Sequence, residues 1–466
     1  MSFVSPEFAL LCLLFFPLYW GLAAWPRAQK ALLLLSGYAL YASWDTWFAL
    51  QLLIYSLGMG VLGQWLARQP TQRLPWCVAM VLSVGCLVFF KYADFVRTGL
   101  MALAQAWGWP WSLPVWDVVA PVGISFLTFQ AITYLVMVAR QPSSVRSLPQ
   151  VLVFLCFWPT LFAGPILRAE RFFAQWDAGT PGRPREMPLA LYSVVLGAAQ
   201  KLIFATWLAD TWVDPIFKSP ELYGGLALLA AMVGYTLQIM LDFGGYTLIV
   251  TGLALMLGFE LPVNFRQPYL ARNLQDFWTR WHVSLSSFIR DYIYIPLGGN
   301  RLGFARTQIN VLVGMLISGL WHGPNWTFVV WGLLHGLGVV AVNFYRRASG
   351  PALPAGWAQA MTLVFVTVAW VFFRADSVEA ALFILQGVVT NAHPFWQVPI
   401  GPMLGLVTLT AVFLTLSRHA LDWQTRVVKE LQAAPVWAVG ALLSMCIFGV
   451  IALGPNGVPG FIYYRF

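Results

Sequence analysis

The sequence predicts an all-α, polytopic membrane protein, and three observations carry that expectation. Of its 466 residues, 59% are hydrophobic and only 10% are charged, against roughly 45–50% and about 25% in an average soluble domain. So few charges do not cover a water-facing surface, which argues against a soluble enzyme, a disordered chain or a secreted disulfide scaffold. The apolar residues also gather in long unalternating runs near the ~20 residues a helix needs to cross hydrocarbon, whereas membrane-barrel strands alternate. Finally, 24 Trp contribute to a 16% aromatic content, and Trp and Tyr collect at bilayer interfaces.

The candidate spans, in order, are 7–25, 31–44, 47–67, 76–90, 117–139, 189–209, 224–256, 307–321, 325–345, 359–373, 402–417 and 434–453. About eleven or twelve crossings are expected, some of them short. The first run lacks the basic flank of a secretory signal and is followed by Arg27 and Lys30, so it reads as a retained helix with its N-terminus outside. The net charge of +9 fits the excess of Lys and Arg in cytoplasmic loops rather than a nucleic-acid partner. Arg68/Arg73, Arg140/Arg146, Arg346/Arg347 and Arg418/Arg426/Lys429 mark the cytoplasmic side; a loop at 210–223 with Asp210, Asp214 and Glu221 reads as outside. Segment 150–165 is apolar but short and holds Pro159, Gly164 and Pro165, the pattern of a re-entrant piece lining a cavity. With no soluble domain, long linker or repeat, residues 1–466 are expected to form one integral membrane domain.

Within it, 260–306 is basic and partly amphipathic, and is expected on the cytoplasmic side. Arg266, Arg272, Arg280, Arg290, Arg301 and Arg306 stand there against Glu260, Asp276 and Asp291. In DFWTRWHVSLSSFIRDYIYIPLGG (276–299), Phe277, Trp281, Leu285, Phe288 and Tyr292 recur on one helical face. Arg280, Ser284, Ser287 and Asp291 lie opposite. One interfacial helix is expected, closed by Pro296 and Gly298–Gly299, with His282 at the edge of its apolar face.

A second segment, GLWHGPNWTFVVWGLLHG (319–336), sets His322 before Gly323–Pro324, a pair that ends a helix. His322 is therefore expected at a helix break inside the bundle, with His335 on a different part of the next span. A neutral imidazole in a partly dry site takes a proton from a hydroxyl, which suits acyl transfer to an alcohol. The alternative for His322, His282 and His335 alike is a structural histidine bonded between helices. His393 and His419 fall in or near loops. Asp242, alone in the run 235–259, is expected either to relay protons or to pair with an Arg or a His. The five cysteines form no C-x-x-C pair, and there is no H-E-x-x-H, G-x-x-x-x-G-K-[ST] or G-x-S-x-G motif, so metal catalysis and ATP hydrolysis lack support.

Together the two histidine segments resemble the membrane-bound O-acyltransferase (MBOAT) superfamily. Its bacterial alginate O-acetylation branch, with cellulose-acetylation relatives, is similar further at PVGISFLTFQAITYLVMVARQ (121–141), FWPTLFAGPILR (157–168), LDFGGYTLIVTGLALMLGFELPVNFRQPY (241–269), VFFRADSVEAAL (371–382) and FIYYRF (461–466). The resemblance covers nearly the whole chain, although the soluble loops are shorter than in typical alginate members. It implies a helical bundle around a central tunnel in the bacterial inner membrane. It also implies catalysis by His322, matching the family's Trp-His-Gly histidine, with His282 as the second family histidine. The implied donor is acetyl-CoA. The implied partners are membrane lipids and an extracytoplasmic acetyltransferase of SGNH-hydrolase type that acylates a polysaccharide.

On this reading Arg266, Arg272 and Arg280 suit the phosphates of the donor, or anionic lipid headgroups. Trp281, Trp321 and Asp242 are further candidate substrate-binding residues, and no metal ligand is expected. D-alanyl transfer and peptidoglycan acylation belong to the same fold. A proton-relaying transporter or a passive scaffold of a polysaccharide secretion complex are rivals of another class. The terminal FIYYRF suits either partner contact or interface anchoring.

Overall fold

The computed structural model describes residues 3, 5–115, 119–179, 184–391 and 399–454. Each of the twelve expected apolar stretches contains a helix, that of 117–139 starting at Ile124, and there is no strand among the described residues. Eight helices there are long and apolar enough to cross a membrane, and three shorter apolar ones accompany them. The terminal FIYYRF and His393 lie outside the described residues. The chain divides into two compact units, residues 1–190 with 253–262 and residues 191–252 with 263–466.

In the first unit the helices are α1 (Pro6–Gly21), α2 (Pro26–Ala42), α3 (Thr46–Arg68), α4 (Arg73–Ala106), α5 (Ile124–Arg140), α6 (Leu148–Leu155), α7 (Trp158–Leu161) and α8 (Ala169–Asp177). The Pro-rich segment 150–165 breaks into α6 and α7 and is almost wholly buried. Its interrupted backbone needs other polar partners, and side chains of the unit tie it down. Gln130 Nε2 donates to Thr160 Oγ1 at 2.9 Å, and the Ala169 N–H donates to Thr133 Oγ1 at 3.0 Å. Phe154, Phe157, Phe172, Phe173 and Phe259 fill the centre, with ring centroids 5.0–5.4 Å apart.

The second unit holds most of α9 (Met187–Lys218) and α10 (Gly225–Met256), then α11 (Leu274–Trp278), α12 (Val283–Ile289), α13 (Phe304–His322), α14 (Trp326–Arg347), α15 (Ala355–Arg374), α16 (Val378–Thr390), α17 (Ile400–Arg418), α18 (Ala420–Ala433) and α19 (Val436–Leu453). The expected external loop at 210–223 is instead helical as far as Lys218, and Asp214 is held by Arg374 at 2.7 Å. Small residues let membrane helices approach closely, and two such contacts set up the site. A Cβ on Gly197 would lie 2.5 Å from the Gly245 carbonyl, so α9 and α10 meet backbone to backbone. Likewise a Cβ on Gly332 would lie 2.6 Å from the Met315 carbonyl, between α13 and α14.

Neither α14 nor α13 can yield there without moving main chain. Gly332→Ala is expected to cost about 1–3 kcal/mol by overpacking, read as a lowered Tm in detergent. An unchanged Tm would show that the two helices separate freely.

Candidate active site

The sequence around His322 dictates its position. Helix α13 ends on His322, Gly323 is extended, and Pro324 has no N–H with which to continue a helix. Asn325 then starts α14, its side chain accepting from the Thr327 N–H at 3.0 Å. This tight reversal leaves His322 buried at a helix end, walled by aromatic rings. Its ring centroid lies 4.9 Å from Phe373, 5.0 Å from Trp321, 5.1 Å from Trp331 and 6.3 Å from Phe328.

His282 arrives from the other segment, and here the structure corrects the expected single helix. The chain breaks into α11 and α12, and His282 sits between them with φ of 42°. A left-handed backbone is costly for a side-chain-bearing residue and recurs at functional sites. Long-range contacts impose it. The Val283 N–H donates to the Asn264 carbonyl at 2.9 Å, and His282 Nδ1 meets Asn264 Oδ1 at 3.0 Å. His282 is thus fully buried, with 0% exposure, rather than at the edge of an interfacial face. Phe277, Trp281, Leu285 and Phe288 are buried with it, so the segment's apolar face packs into protein.

Asn264 fixes the tautomer. The Ser284 backbone N–H can only donate, and it faces Asn264 Oδ1 at 3.4 Å, as does Ser284 Oγ at 2.8 Å. His282 Nδ1 therefore carries the proton and donates to Asn264 Oδ1, leaving Nε2 as a bare acceptor. Nε2 is buried with no hydrogen-bond partner among the described residues. The two imidazoles stand with ring centroids 6.5 Å apart, and Trp321 edges onto His282 at 5.8 Å. Phe243 closes the far side of His282 at 4.8 Å.

Burial pushes the His282 pKa down to about 3 from its ordinary 6.5. A folded-state pKa below the unfolded value means the unfolded chain binds the extra proton, so this contribution to stability falls as pH drops from about 6.5 toward 3. Unfolding free energy should therefore fall more steeply with acidification in the wild type than in His282→Gln. The difference should approach ~1.4 kcal/mol per pH unit within that window. Equal slopes would contradict a buried neutral imidazole.

The other expected residues fall into three places. Trp281 joins an aromatic stack with Phe265, Tyr269, Phe277 and Trp370, at 4.9–6.2 Å. Arg266, Arg272 and Arg280 come together in one turn ahead of it. Asp276 pairs with Arg280 at 2.6 Å and accepts from the Arg272 N–H at 3.1 Å, while the Arg266 N–H donates to the Arg280 carbonyl at 2.9 Å. Arg266 and Arg272 are exposed. Arg346 extends the basic end through its bond to Gln275. Asp242 pairs with Lys201, not with an Arg or a His.

His335, expected elsewhere on the surface, is buried 4.8 Å from Trp331 and 5.1 Å from Trp278. Asn264, Lys201, Trp331 and Phe373 were not singled out in the sequence. Asn264, Trp331 and Phe373 lie inside the runs 241–269, 319–336 and 371–382, whereas Lys201 lies outside them all. Among the described residues no group of three or more His, Cys, Asp or Glu is placed to hold a metal ion.

A buried neutral imidazole is suited to taking a proton from a hydroxyl, and comparison with known proteins gives the family of the chain. The family model of the membrane-bound O-acyltransferases matches residues 72–384. The chain is 32% identical to "Probable alginate O-acetylase AlgI" of Pseudomonas putida, over 97% of this chain and 98% of that protein. It is 32% identical to the peptidoglycan O-acetyltransferase of Helicobacter pylori, over 91% and 83%. To the teichoic acid D-alanyltransferase of Bacillus subtilis it is 30% identical, over 55% and 69%. This all-α, multi-pass membrane protein, with its two histidines walled in by aromatic rings, belongs to the membrane-bound O-acyltransferase family and is an O-acyltransferase.

Proposed function

We propose that the chain passes an acetyl group from a cytoplasmic thioester, acetyl-CoA, across the bacterial inner membrane for O-acetylation of an exopolysaccharide, alginate or cellulose. The observation that carries this is the meeting of His322 and His282 in one buried, aromatic-walled site. Similarity over almost the full length of the alginate relative supports the acetyl group and the polymer. The family match enters both compact units, which supports reading residues 1–466 as one acyltransferase domain.

In this mechanism His322 takes the proton of the acceptor hydroxyl as its oxygen attacks the thioester carbonyl; the thiol leaves and recovers a proton. His282, with Nε2 free to accept, orients the acceptor by taking a hydrogen bond from a second donor group on it, leaving the attacking hydroxyl's proton to His322. The surrounding aromatic rings keep water from the thioester. Arg266, Arg272 and Arg280 suit the phosphates of the donor, since guanidinium matches phosphate geometry. The acceptor hydroxyl is one carried by an extracytoplasmic partner of SGNH-hydrolase type, whose ester then acylates a polymer hydroxyl and returns the partner's own hydroxyl.

D-alanyl transfer is the second reading, favoured by similarity to the teichoic acid enzymes. Analysis of the ester groups on polymers from cells with and without the chain separates the two. Acetyl esters on an exopolysaccharide that disappear with the chain support the proposal; D-alanyl esters that disappear instead overturn it.

A further inference from the structure

At the basic end of the second unit, side-chain amides form a chain of hydrogen bonds across α11, α13 and α14. Gln308 of α13 donates from Nε2 to the Phe304 carbonyl at 3.1 Å, and its Oε1 accepts from Asn343 Nδ2 of α14 at 2.7 Å. Asn343 Oδ1 accepts from Gln275 Nε2 of α11, and Gln275 Oε1 accepts from Arg346 Nη1. The direction of this chain is fixed at both ends. A backbone carbonyl only accepts and a guanidinium only donates, so each amide has one orientation that satisfies both neighbours. The chain thus holds an exposed guanidinium in place through a single N–H, leaving its other donors for a ligand.

Other guanidinium groups belong to the same turn. Gln275 precedes Asp276, which pairs with Arg280 at 2.6 Å and accepts from the Arg272 N–H at 3.1 Å. The Arg266 N–H donates to the Arg280 carbonyl at 2.9 Å. Asp276 balances the charge of Arg280. Arg266, Arg272 and Arg346 are exposed and make no ion pair among the described residues. Arg347 is engaged elsewhere, 4.3 Å over the Phe304 ring. Unbalanced positive charges tied to one turn favour a ligand with more than one phosphate.

The place of Arg346 along α14 fits the proposed donor. Arg346, Asn343, Val339, His335 and Trp331 recur at three- and four-residue steps, which is one face of the helix. Trp331 packs on His322 at 5.1 Å. Arg346 and Trp331 are separated by about 22 Å of helix, comparable to the extended arm between the phosphates and the sulfur of coenzyme A. We infer that Arg346 is a further binding residue for the donor's phosphates, and that Gln275 positions it. The site then selects coenzyme A, with its several phosphates, over a pantetheine thioester that lacks them. Because the amide chain orders the guanidinium beforehand, less side-chain freedom is lost on binding. This inference rests on the thioester donor proposed above.

Equilibrium binding of coenzyme A and of pantetheine to the purified full chain in neutral detergent tests it. No acyl transfer is needed, so failure here is distinct from failure of the proposed reaction. The ratio of the two affinities is the readout, because a merely structural defect lowers both. The wild type should prefer coenzyme A. Arg346→Gln should weaken coenzyme A about tenfold, the effect of one lost hydrogen bond to a charged group, and leave pantetheine unchanged. Gln275→Leu keeps every charge but frees the guanidinium, and should weaken coenzyme A about threefold. Arg347→Gln removes an equal charge outside the cluster and should leave the ratio as it was. A second series adds phosphatidylglycerol to the micelles and measures the lipid retained. The inference is overturned by a wild type without preference for coenzyme A, or by a wild-type ratio in Arg346→Gln or Gln275→Leu. Equal losses in Arg346→Gln and Arg347→Gln overturn it in favour of a diffuse field. Loss of phosphatidylglycerol but not of coenzyme A in Arg346→Gln overturns it in favour of a lipid headgroup.

Discussion

Replacing His322 with alanine is expected to reduce acyl transfer by about 10²–10⁴-fold while the protein still reaches the membrane. The size is that of a lost general base. It follows from where the imidazole stands: at the end of α13, buried, facing His282 across 6.5 Å, and held by rings of Trp331 and Phe373. His322→Gln preserves more of the volume but offers no basic nitrogen, and should lose as much rate. Turnover per mole of membrane-inserted protein is the quantity to measure. A Gln variant with near-normal turnover would make the residue a packing element.

A second large effect is expected at Lys201 and Asp242. Neither is more than 5% exposed, and their pairing follows from the backbone contact of Gly197 with Gly245 one turn away. Lys201 lies in a π-helical turn, Ala199–Ala205, a feature found often near functional sites. Lys201→Met leaves a carboxylate buried without its cation and should cost about 3–5 kcal/mol. Lys201→Met combined with Asp242→Leu should recover most of that loss, because two apolar groups remove both desolvation penalties. Thermal unfolding of the three variants in one detergent measures the cycle. If the single change costs no more than the double, the pair is not coupled. Phe243, next in sequence to Asp242, packs on His282, so the single variant should also lose activity beyond its loss of folded protein.

The parts of this fold legible in the sequence are those set locally. A run of apolar residues becomes a helix with little regard to its surroundings, and each of the twelve runs contains one, although eight helices among the described residues are long and apolar enough to cross a membrane. The break at Gly323–Pro324 was equally local, so His322 could be placed at a helix end from spacing alone. The break at His282 was not. Its left-handed backbone is imposed by Asn264, eighteen residues earlier in the chain, through the bonds to Val283 and the His282 ring. Periodicity across 276–295 therefore read as one helix. Lys201 escaped notice for the same reason. Its partner lies forty-one residues away, and only the small-residue contact between α9 and α10 brings the two together.

The central claim is transfer of an acyl group from a cytoplasmic thioester to a hydroxyl on the far side of the membrane. The most direct measurement supplies acetyl-CoA, labelled in its acetyl group, to the cytoplasmic face of sealed membrane vesicles containing the chain, its extracytoplasmic partner and its polymer. Label is then counted in base-labile ester linkage to the polysaccharide. The account predicts label in the polymer with the wild type and at most about one hundredth as much with His322→Ala. Equal labelling by both proteins, or none by either while polymer still crosses the membrane, would contradict it.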